Sequence, residues 1–330
     1  MVATNSLSAL ESDPDPISNV REQTFPAGVE THVERYERIV GDRDRELWQW
    51  LYRVFPGITL SAVDSEGVRR VRNAKLLASI YITVVDDVAE RYGDRATFEE
   101  LAKVPFERRR PNPDHPNVDG DRVRFAIDLW DGFRTVYEGL PRADEFADLL
   151  QFDLEQSLSA IEYSYLLNRY PTLGTERELW AYDVHNMLVF VYADLDLAAA
   201  PSFDECELAP LRRLCWRTQR MARISNWISS WKRELGERDY SSGVVTRALE
   251  TGIVSSEDIA RIEREPTAAT VEPVVRAIEE SGVEASLLER WRSEYREAKR
   301  FDDDLSSLDV DAYLDGFETI LRSHVARRGN

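Results

Sequence analysis

Three acidic residues follow one of the most apolar stretches of this chain, residues 80–85. Asp86 and Glu90 are four residues apart, and Asp87 and Glu90 are three apart, so on a helix the three carboxyl groups share one face. Clustered carboxylates without a nearby histidine or thiolate suit a hard cation such as Mg²⁺, which proteins often share with substrate phosphates. In a chain with 61 acidic residues, the same cluster also fits a solvated helix end.

A second row of oxygen-bearing side chains lies far along the chain. Asn226, Ser230 and Glu234 recur every fourth residue, so on a helix they form a row about 12 Å long. Amide, hydroxyl and carboxylate oxygens together make a hard ligand set. Arg233 lies beside Glu234, where its guanidinium group could hold a diphosphate oxygen. The spacing alone arises by chance about once in a chain of this size.

The charge of the chain restricts its partners. The formal net charge is -19, which disfavours nucleic acid, and a site for any anionic ligand must bring its own cations. Only Lys75, Lys103, Lys232 and Lys299 are lysines. Scarce lysine and high acidity suit a halophilic protein from a salt-rich cytoplasm, or equally an acidic protein from a GC-rich genome.

The composition predicts a protein of the cytoplasm. No apolar run is long enough to span a bilayer, and the N-terminus lacks the pattern of a secretory signal. The two cysteines indicate no disulfide framework, which fits a reducing compartment. The four histidines are scattered and form no zinc motif.

The elements that must position the two rows are predicted to be helices. A flexible, polar arm with several prolines is predicted for residues 1–29, and one all-α domain of about ten helices for residues 30–330. Strand patterns are nearly absent, and residues 105–121 form a proline-rich loop. The predicted helices include residues 68–91, 123–137, 143–170, 175–200, 208–235, 255–264, 271–281, 285–300 and 310–327.

Taken together, the two rows resemble those of the class I terpene synthases of bacterial type. In that family an aspartate-rich motif faces an Asn-Asp-x-x-Ser-x-x-Lys-Glu motif followed by Gly-Asp-x-x-Asn. Here the second motif is Asn226-Trp-Ile-Ser-Ser230-Trp-Lys-Arg233-Glu234, followed by Gly236-Glu237-Arg-Asp-Tyr240. Most of the chain agrees with the family in length and helical content. The resemblance implies a single-domain helical bundle of the isoprenoid synthase type.

The resemblance has three departures. Trp227 replaces the second aspartate, which is not a metal ligand in the family. Trp180 occupies the position expected for a diphosphate-sensing arginine, and Arg177 and Arg169 are the nearest replacements. Arg300, followed by a phenylalanine, is the nearest match to a C-terminal Arg-Tyr pair. The resemblance therefore implies diphosphate binding by Arg233, Arg177, Arg169 or Arg300, with the sensor unassigned.

The activity implied by the resemblance is that of a lyase. Three Mg²⁺ ions and basic residues bind a prenyl diphosphate, the C–O bond ionises, the carbocation cyclises and diphosphate is released. The substrate is geranyl, farnesyl or geranylgeranyl diphosphate, and homodimers are common in such folds. An aromatic wall would stabilise the cation. Candidates for that wall, each of which could equally be a core residue, are Trp48, Phe55, Tyr81, Phe190, Trp227 and Trp231.

Three other interpretations remain. A chain-elongating prenyltransferase would share the fold but should carry two Asp-Asp-x-x-Asp motifs, whereas this chain has one acidic motif. A squalene- or phytoene-type synthase should carry two Asp-x3-Asp motifs, and Asp183 is followed by Met187. A non-catalytic homologue that binds a prenyl diphosphate or another protein is favoured by the missing sensor. Stabilisation by Mg²⁺ and diphosphate together would distinguish a synthase from an interaction protein.

Overall fold

The computed structural model describes residues 7–328, apart from the side chain of Ser8. This part of the chain contains fifteen α-helices and no strand. The α-helices are α1 (Leu7–Glu11), α2 (Ala27–Ile39), α3 (Arg45–Val54), α4 (Ser65–Glu90), α5 (Arg95–Leu101), α6 (Gly120–Glu138), α7 (Ala143–Arg169), α8 (Glu176–Ala181), α9 (Val189–Ala198), α10 (Leu208–Gly236), α11 (Gly243–Glu250), α12 (Ser256–Arg264), α13 (Ala268–Ser281), α14 (Val283–Ala298) and α15 (Val310–Ala326). Short 3-10 helices cover Val20–Glu22, Phe55–Ile58, Asp183–Met187, Glu205–Glu207 and Lys299–Asp304.

Two long helices organise the bundle. Helix α4 packs against α3, α6 and α7, and α10 packs against α14 and α15, while both also pack against α9. Asp64 caps α4 by accepting a hydrogen bond from the backbone N–H of Gly67, which satisfies one of the donors left unpaired at a helix start. Residues 74–82 of α4 are buried, as the mostly apolar sequence from residue 76 onward predicts, and the buried Lys75 among them is paired with Asp196.

The helix predicted over residues 175–200 is interrupted. Thr175 caps α8, because its hydroxyl oxygen accepts a hydrogen bond from the backbone N–H of Glu178. The chain then forms the 3-10 turn Asp183–Met187 and resumes as α9 after Leu188, whose φ is 58°. The sequence predicted one continuous helix here, because residues 188–191 are apolar and no proline or glycine marks the break between α8 and α9.

The N-terminal segment differs from the predicted flexible arm. The part of it that lies within the described residues contains α1, which packs against α15. Leu10 and Val20 are almost fully buried. These two apolar side chains anchor the segment to the bundle. The polar and proline-rich composition around them gave no sign of this contact. The remaining residues of the predicted arm, 1–6, lie outside the described residues.

Two short helices, α5 and α11, are additional to the prediction, because seven or eight residues give little periodic signal. The predicted loop is confirmed between α5 and α6. Cys206 is exposed and Cys215 is buried, and neither forms a disulfide. Within residues 7–328, no helix combines the length and apolar character that a membrane crossing needs.

Candidate active site

A cavity of about 1130 Å³ lies between α4 and α10. All six residues predicted as metal ligands line it, and they come from both helices: Asp86, Asp87, Glu90, Asn226, Ser230 and Glu234. The structure therefore brings the two rows together across one space. Ten carboxyl side chains and six arginines are among the lining residues, so this space is acidic and would repel an anionic ligand that arrived without cations.

The face that α4 presents to the cavity is narrow. In the otherwise buried segment 80–90, only Thr83, Asp86 and Glu90 retain partial exposure. Their spacing of three and four residues matches one face of a helix. Asp86 Oδ1 accepts a 3.0 Å hydrogen bond from Asn186 Nδ2 in the turn before α9. The acidic residues at the end of α4 therefore face the cavity and do not form a solvated helix end.

Asp87 has a different environment from its neighbours. Its carboxylate accepts hydrogen bonds from Arg43 Nε at 3.1 Å and 3.2 Å, and it also contacts Arg43 Nη2. Burial raises the pKa of Asp87, and the Arg43 guanidinium group opposes that rise. Asp87 is thus already paired with a cation, whereas Asp86 and Glu90 have no arginine in hydrogen-bond contact within the described residues.

Three other carboxyl groups of the cavity, those of Asp86, Glu90 and Glu234, have a raised pKa and hold their protons more tightly than usual. Burial raises the pKa of Asp86 to about 6, with further contributions from Asp87 and Asp239. Burial, Asp86 and Asp239 raise the pKa of Glu90 well above its ordinary value. On α10, burial and Asp239 raise the pKa of Glu234 to about 7. Asp239 therefore disfavours negative charge on carboxyl groups of both helices.

The chemistry of these groups fits a divalent cation. Glu90 Oε1 is buried and has no hydrogen-bond partner among the described residues, and an unsatisfied buried carboxyl oxygen is costly unless a cation or donor meets it. In residues 7–328, no three acidic, histidine or cysteine side chains converge closely enough to hold one ion by themselves. A cation here would need further oxygens from a ligand or from water, as Mg²⁺ usually does.

The row on α10 is partly engaged in other contacts. Asn226 Oδ1 accepts a 2.9 Å hydrogen bond from Arg223 Nη1. Ser230 Oγ donates to the Asn226 carbonyl oxygen at 2.8 Å, which leaves its lone pairs free for a cation. Glu234 remains mostly buried beside Arg233.

Arg223 is the most deeply placed cation of the cavity. Its Nε and Nη2 atoms donate to the two carboxylate oxygens of buried Asp183 at 2.7 Å and 2.6 Å. Burial works against the charged form, but Asp183, Glu234 and Glu90 together hold the pKa of Arg223 above its usual value. Arg223 was not identified from the sequence, although its position three residues before Asn226 places it on the same face of α10.

The four arginines expected to bind diphosphate separate into two groups. Arg233 lines the cavity and forms a 2.6 Å ion pair with Glu237. Arg169, Arg177 and Arg300 are exposed and are absent from the cavity lining. Six arginines line the cavity, and Arg233 is the one among them that was expected from the sequence: Arg21, Arg43, Arg91, Arg223, Arg233 and Arg327.

The aromatic residues proposed for the wall lie elsewhere. None of Trp48, Phe55, Tyr81, Phe190, Trp227 and Trp231 is among the lining residues. Tyr81 is five residues before Asp86, which turns it about 140° away from that side chain on a helix. Its hydroxyl group instead donates to the Leu101 carbonyl oxygen at 2.7 Å. Trp231 is fully buried, and its Nε1 donates to Glu284.

The other wall candidates also have partners in the core. Trp227 packs so closely on Gly243 that a Cβ atom there would lie 2.5 Å from the indole ring. Phe190 lies under the Arg212 guanidinium group, and Phe55 packs edge-on against Tyr192 at 5.2 Å. Trp50 and Tyr192 are the aromatic residues that line the cavity, with the aliphatic side chains Leu47, Leu51, Ile82, Met187 and Leu188.

Solved structures with the same architecture are known, although no family model and no curated protein matches the chain. One is a polyprenyl synthase from Caulobacter crescentus CB15, solved with calcium and isoprenyl diphosphate. It is 10% identical, with a TM-score of 0.57 over 98% of this chain and 94% of that one. A polyprenyl synthetase from Streptomyces coelicolor A3(2) is 15% identical, with a TM-score of 0.56 over 97% and 96%. The predicted all-α fold of the isoprenoid synthase type is therefore confirmed, and this chain has the fold of the polyprenyl synthases.

Proposed function

We propose that the protein is a divalent-metal-dependent enzyme that acts on a prenyl diphosphate. One observation carries this proposal: α4 and α10 bring Asp86, Glu90 and Glu234 to the same cavity, where burial and neighbouring carboxylates such as Asp239 raise the pKa of each carboxyl group. Such an arrangement is unfavourable for the protein alone, and bound cations would relieve it. The solved neighbour with calcium and isoprenyl diphosphate supports the same class of ligand.

The cavity also offers donors for a diphosphate group. Arg43 and Arg223 are held in fixed orientations by their carboxylate partners, Asp87 and Asp183, and a guanidinium group matches two phosphate oxygens at once. A bound divalent cation would add positive charge to the leaving diphosphate as the C–O bond breaks. The proposed metal ligands are those predicted from the sequence, with Mg²⁺ as the physiological ion.

The rest of the cavity suits the hydrocarbon part of the substrate. Leu47, Leu51 and Ile82 supply an apolar lining, which excludes water from a reactive carbocation. Trp50 and Tyr192 supply aromatic faces, whose quadrupoles stabilise positive charge. These two residues replace the wall candidates named from the sequence.

Within this class, we favour ionisation of one prenyl diphosphate followed by cyclisation, as in a class I terpene synthase. The support is the facing row Asn226, Ser230 and Glu234 together with a single acidic motif, since a chain-elongating enzyme should carry two Asp-Asp-x-x-Asp motifs. Chain elongation remains the second candidate, because the solved neighbours are named polyprenyl synthases. The two reactions differ in whether a second, five-carbon diphosphate is consumed.

Incubation with geranyl, farnesyl and geranylgeranyl diphosphate tests both candidates. Each substrate is supplied with Mg²⁺, with and without isopentenyl diphosphate, and diphosphate release and hydrocarbon products are measured. Cyclisation predicts products from a single substrate, and elongation predicts longer diphosphates only when isopentenyl diphosphate is present. If the protein consumes none of these substrates, the proposal is contradicted.

Matched variants tie the activity to the cavity. Glu90→Gln and Glu234→Gln are each expected to lower turnover at least 100-fold, because each removes an anionic ligand. Glu66→Gln serves as the control, since Glu66 lies on α4 with a side chain 83% exposed. Equal turnover in all three variants would show that the activity does not depend on the two facing rows.

A further inference from the structure

A histidine on the last helix faces the same cavity but takes no part in the acidic rows. His324 of α15 is one of the lining residues. Its ring packs edge-on against Trp50, with centroids 5.1 Å apart. The Trp50 Nε1 atom donates a buried 2.9 Å hydrogen bond to Ser323 Oγ. These contacts fix the two rings relative to each other at the wall of the cavity.

The hydrogen bonds of His324 determine which ring nitrogen carries the proton. Ser229 Oγ lies 3.0 Å from His324 Nδ1 and 2.8 Å from the Asn226 carbonyl oxygen. A carbonyl oxygen only accepts, so the single hydroxyl proton of Ser229 is directed to Asn226. The Ser229 oxygen therefore accepts from Nδ1–H of His324. This tautomer leaves the lone pair on Nε2, which has no hydrogen-bond partner among the described residues.

The environment keeps this ring neutral. Burial lowers the pKa of His324 to about 4, Arg327 acts in the same direction, and Asp15 opposes it. Arg327 and Asp15 are paired with each other at 2.8 Å and both line the cavity. At neutral pH, His324 thus keeps an unprotonated ring nitrogen among the residues that line the cavity.

The hydroxyl groups among the lining residues are weaker bases than a neutral imidazole. Ser79 Oγ donates to the Lys75 carbonyl oxygen at 2.6 Å, so Tyr192 donates its own hydroxyl proton to Ser79 over 2.8 Å. Tyr192 and Ser79 therefore carry neutral hydroxyl groups. The carboxyl groups of Asp86, Glu90 and Glu234 are the proposed cation ligands. Among the described lining residues, His324 is the side chain with a neutral basic nitrogen.

We propose that Nε2 of His324 accepts the proton that the substrate carbocation loses in the final step. This inference rests on the proposed function, and it holds for cyclisation and for elongation, because either cation must be quenched. A C–H bond next to the cationic carbon breaks, and its electron pair forms the new C=C bond. The proton goes to Nε2, and the imidazolium group then returns it to water as the product leaves.

The test measures how the cation is quenched rather than how fast it forms. His324→Asn retains a donor toward Ser229 but removes the nitrogen that faces the cavity, and His324→Gln fills the position of Nε2 with a non-basic amide. The exposed residue His115 supplies the control His115→Asn. Products from the best prenyl diphosphate are separated into deprotonated olefins and water-captured alcohols.

The expected result is a fall of at least tenfold in the olefin-to-alcohol ratio in both His324 variants, with the control unchanged. An unchanged ratio in either folded variant overturns the inference while leaving the proposed function intact. A higher KM with an unchanged ratio also overturns it, because His324 would then bind diphosphate. Absence of diphosphate release by the wild-type protein would instead contradict the proposed function itself. Circular dichroism establishes which variants are folded. If His324→Asn does not fold, the test uses the more conservative His324→Gln.

Discussion

Arg223 Nη1 donates a 2.9 Å hydrogen bond to Asn226 Oδ1, while the rest of the same guanidinium group is bound by Asp183. This relationship joins the proposed metal row of α10 to the turn between α8 and α9. It also places a fully charged group beside the carboxyl groups of Glu90 and Glu234, which contribute to its raised pKa. Arg223 therefore supports both the fold and the site.

Removal of Arg223 should destabilise the protein strongly. Arg223→Ala leaves the carboxylate of Asp183 buried with one remaining partner, Ser164, and breaking one side of a buried ion pair costs about 3–5 kcal/mol. Urea unfolding at pH 7 measures the free energy of unfolding. The double variant Arg223→Ala/Asp183→Asn should recover part of the loss. Arg177→Ala, at an exposed site, should change stability by less than about 0.5 kcal/mol, and equal effects of Arg223→Ala and Arg177→Ala would contradict this.

The metal-free protein should lose stability as pH rises through the pKa of Glu234. The folded-state value of about 7 lies above the ordinary 4.5, so the native state binds more protons than the unfolded chain between these values. The contribution is fully present below pH 4.5 and is lost above pH 7, by up to about 3 kcal/mol. Unfolding in the presence of EDTA at several pH values should show that Glu234→Gln removes part of this dependence. Parallel curves for the variant and the wild type would argue against it.

His324 should have the opposite pH effect. Its folded-state pKa of about 4 lies below the ordinary 6.5, so the unfolded chain binds more protons between these values. The stability that this histidine contributes is present above pH 6.5 and is lost as pH falls toward 4, by up to about 3 kcal/mol. Thermal unfolding of wild type and His324→Asn between pH 4 and 7 measures the difference, which should shrink as the pH falls. A constant difference would mean that His324 titrates normally.

The contact between Trp227 and Gly243 should tolerate no added atom. A Cβ at residue 243 would lie 2.5 Å from the indole ring, and overpacking of this kind costs about 1–3 kcal/mol. Gly243→Ala should lower the free energy of unfolding by that amount in urea titrations. Gly28→Ala is the control, because nothing lies within 4 Å of its added Cβ. Similar stability of the two variants would show that Trp227 is free to move.

Most of the helices, and the grouping of each row on one helix face, could be predicted because they depend on local spacing. Asp86 and Glu90, like Asn226 and Ser230, share a face whatever the rest of the fold does. The same rule should have excluded Tyr81, which is five residues from Asp86 and turns away from it. Arg223 could also have been found, since it is three residues from Asn226.

The remaining parts of the site depend on contacts between distant segments. Arg43 reaches Asp87 from the loop before α3, and Trp50 and His324 meet from opposite ends of the chain. Asp239 belongs to no periodic pattern, yet it raises the pKa of carboxyl groups on both long helices. No spacing rule identifies such partners, because tertiary packing alone brings them together.

The most direct test of the central claim is the joint effect of Mg²⁺ and diphosphate on the melting temperature. A ligand at 100 times its Kd stabilises the folded state by about 2.7 kcal/mol. We expect the melting temperature to rise with both ligands together far more than with either alone. The rise should be lost in Glu90→Gln and Glu234→Gln and kept in Glu66→Gln. No joint stabilisation of the wild type, or an equal rise in all three variants, would contradict a shared metal and diphosphate site between α4 and α10.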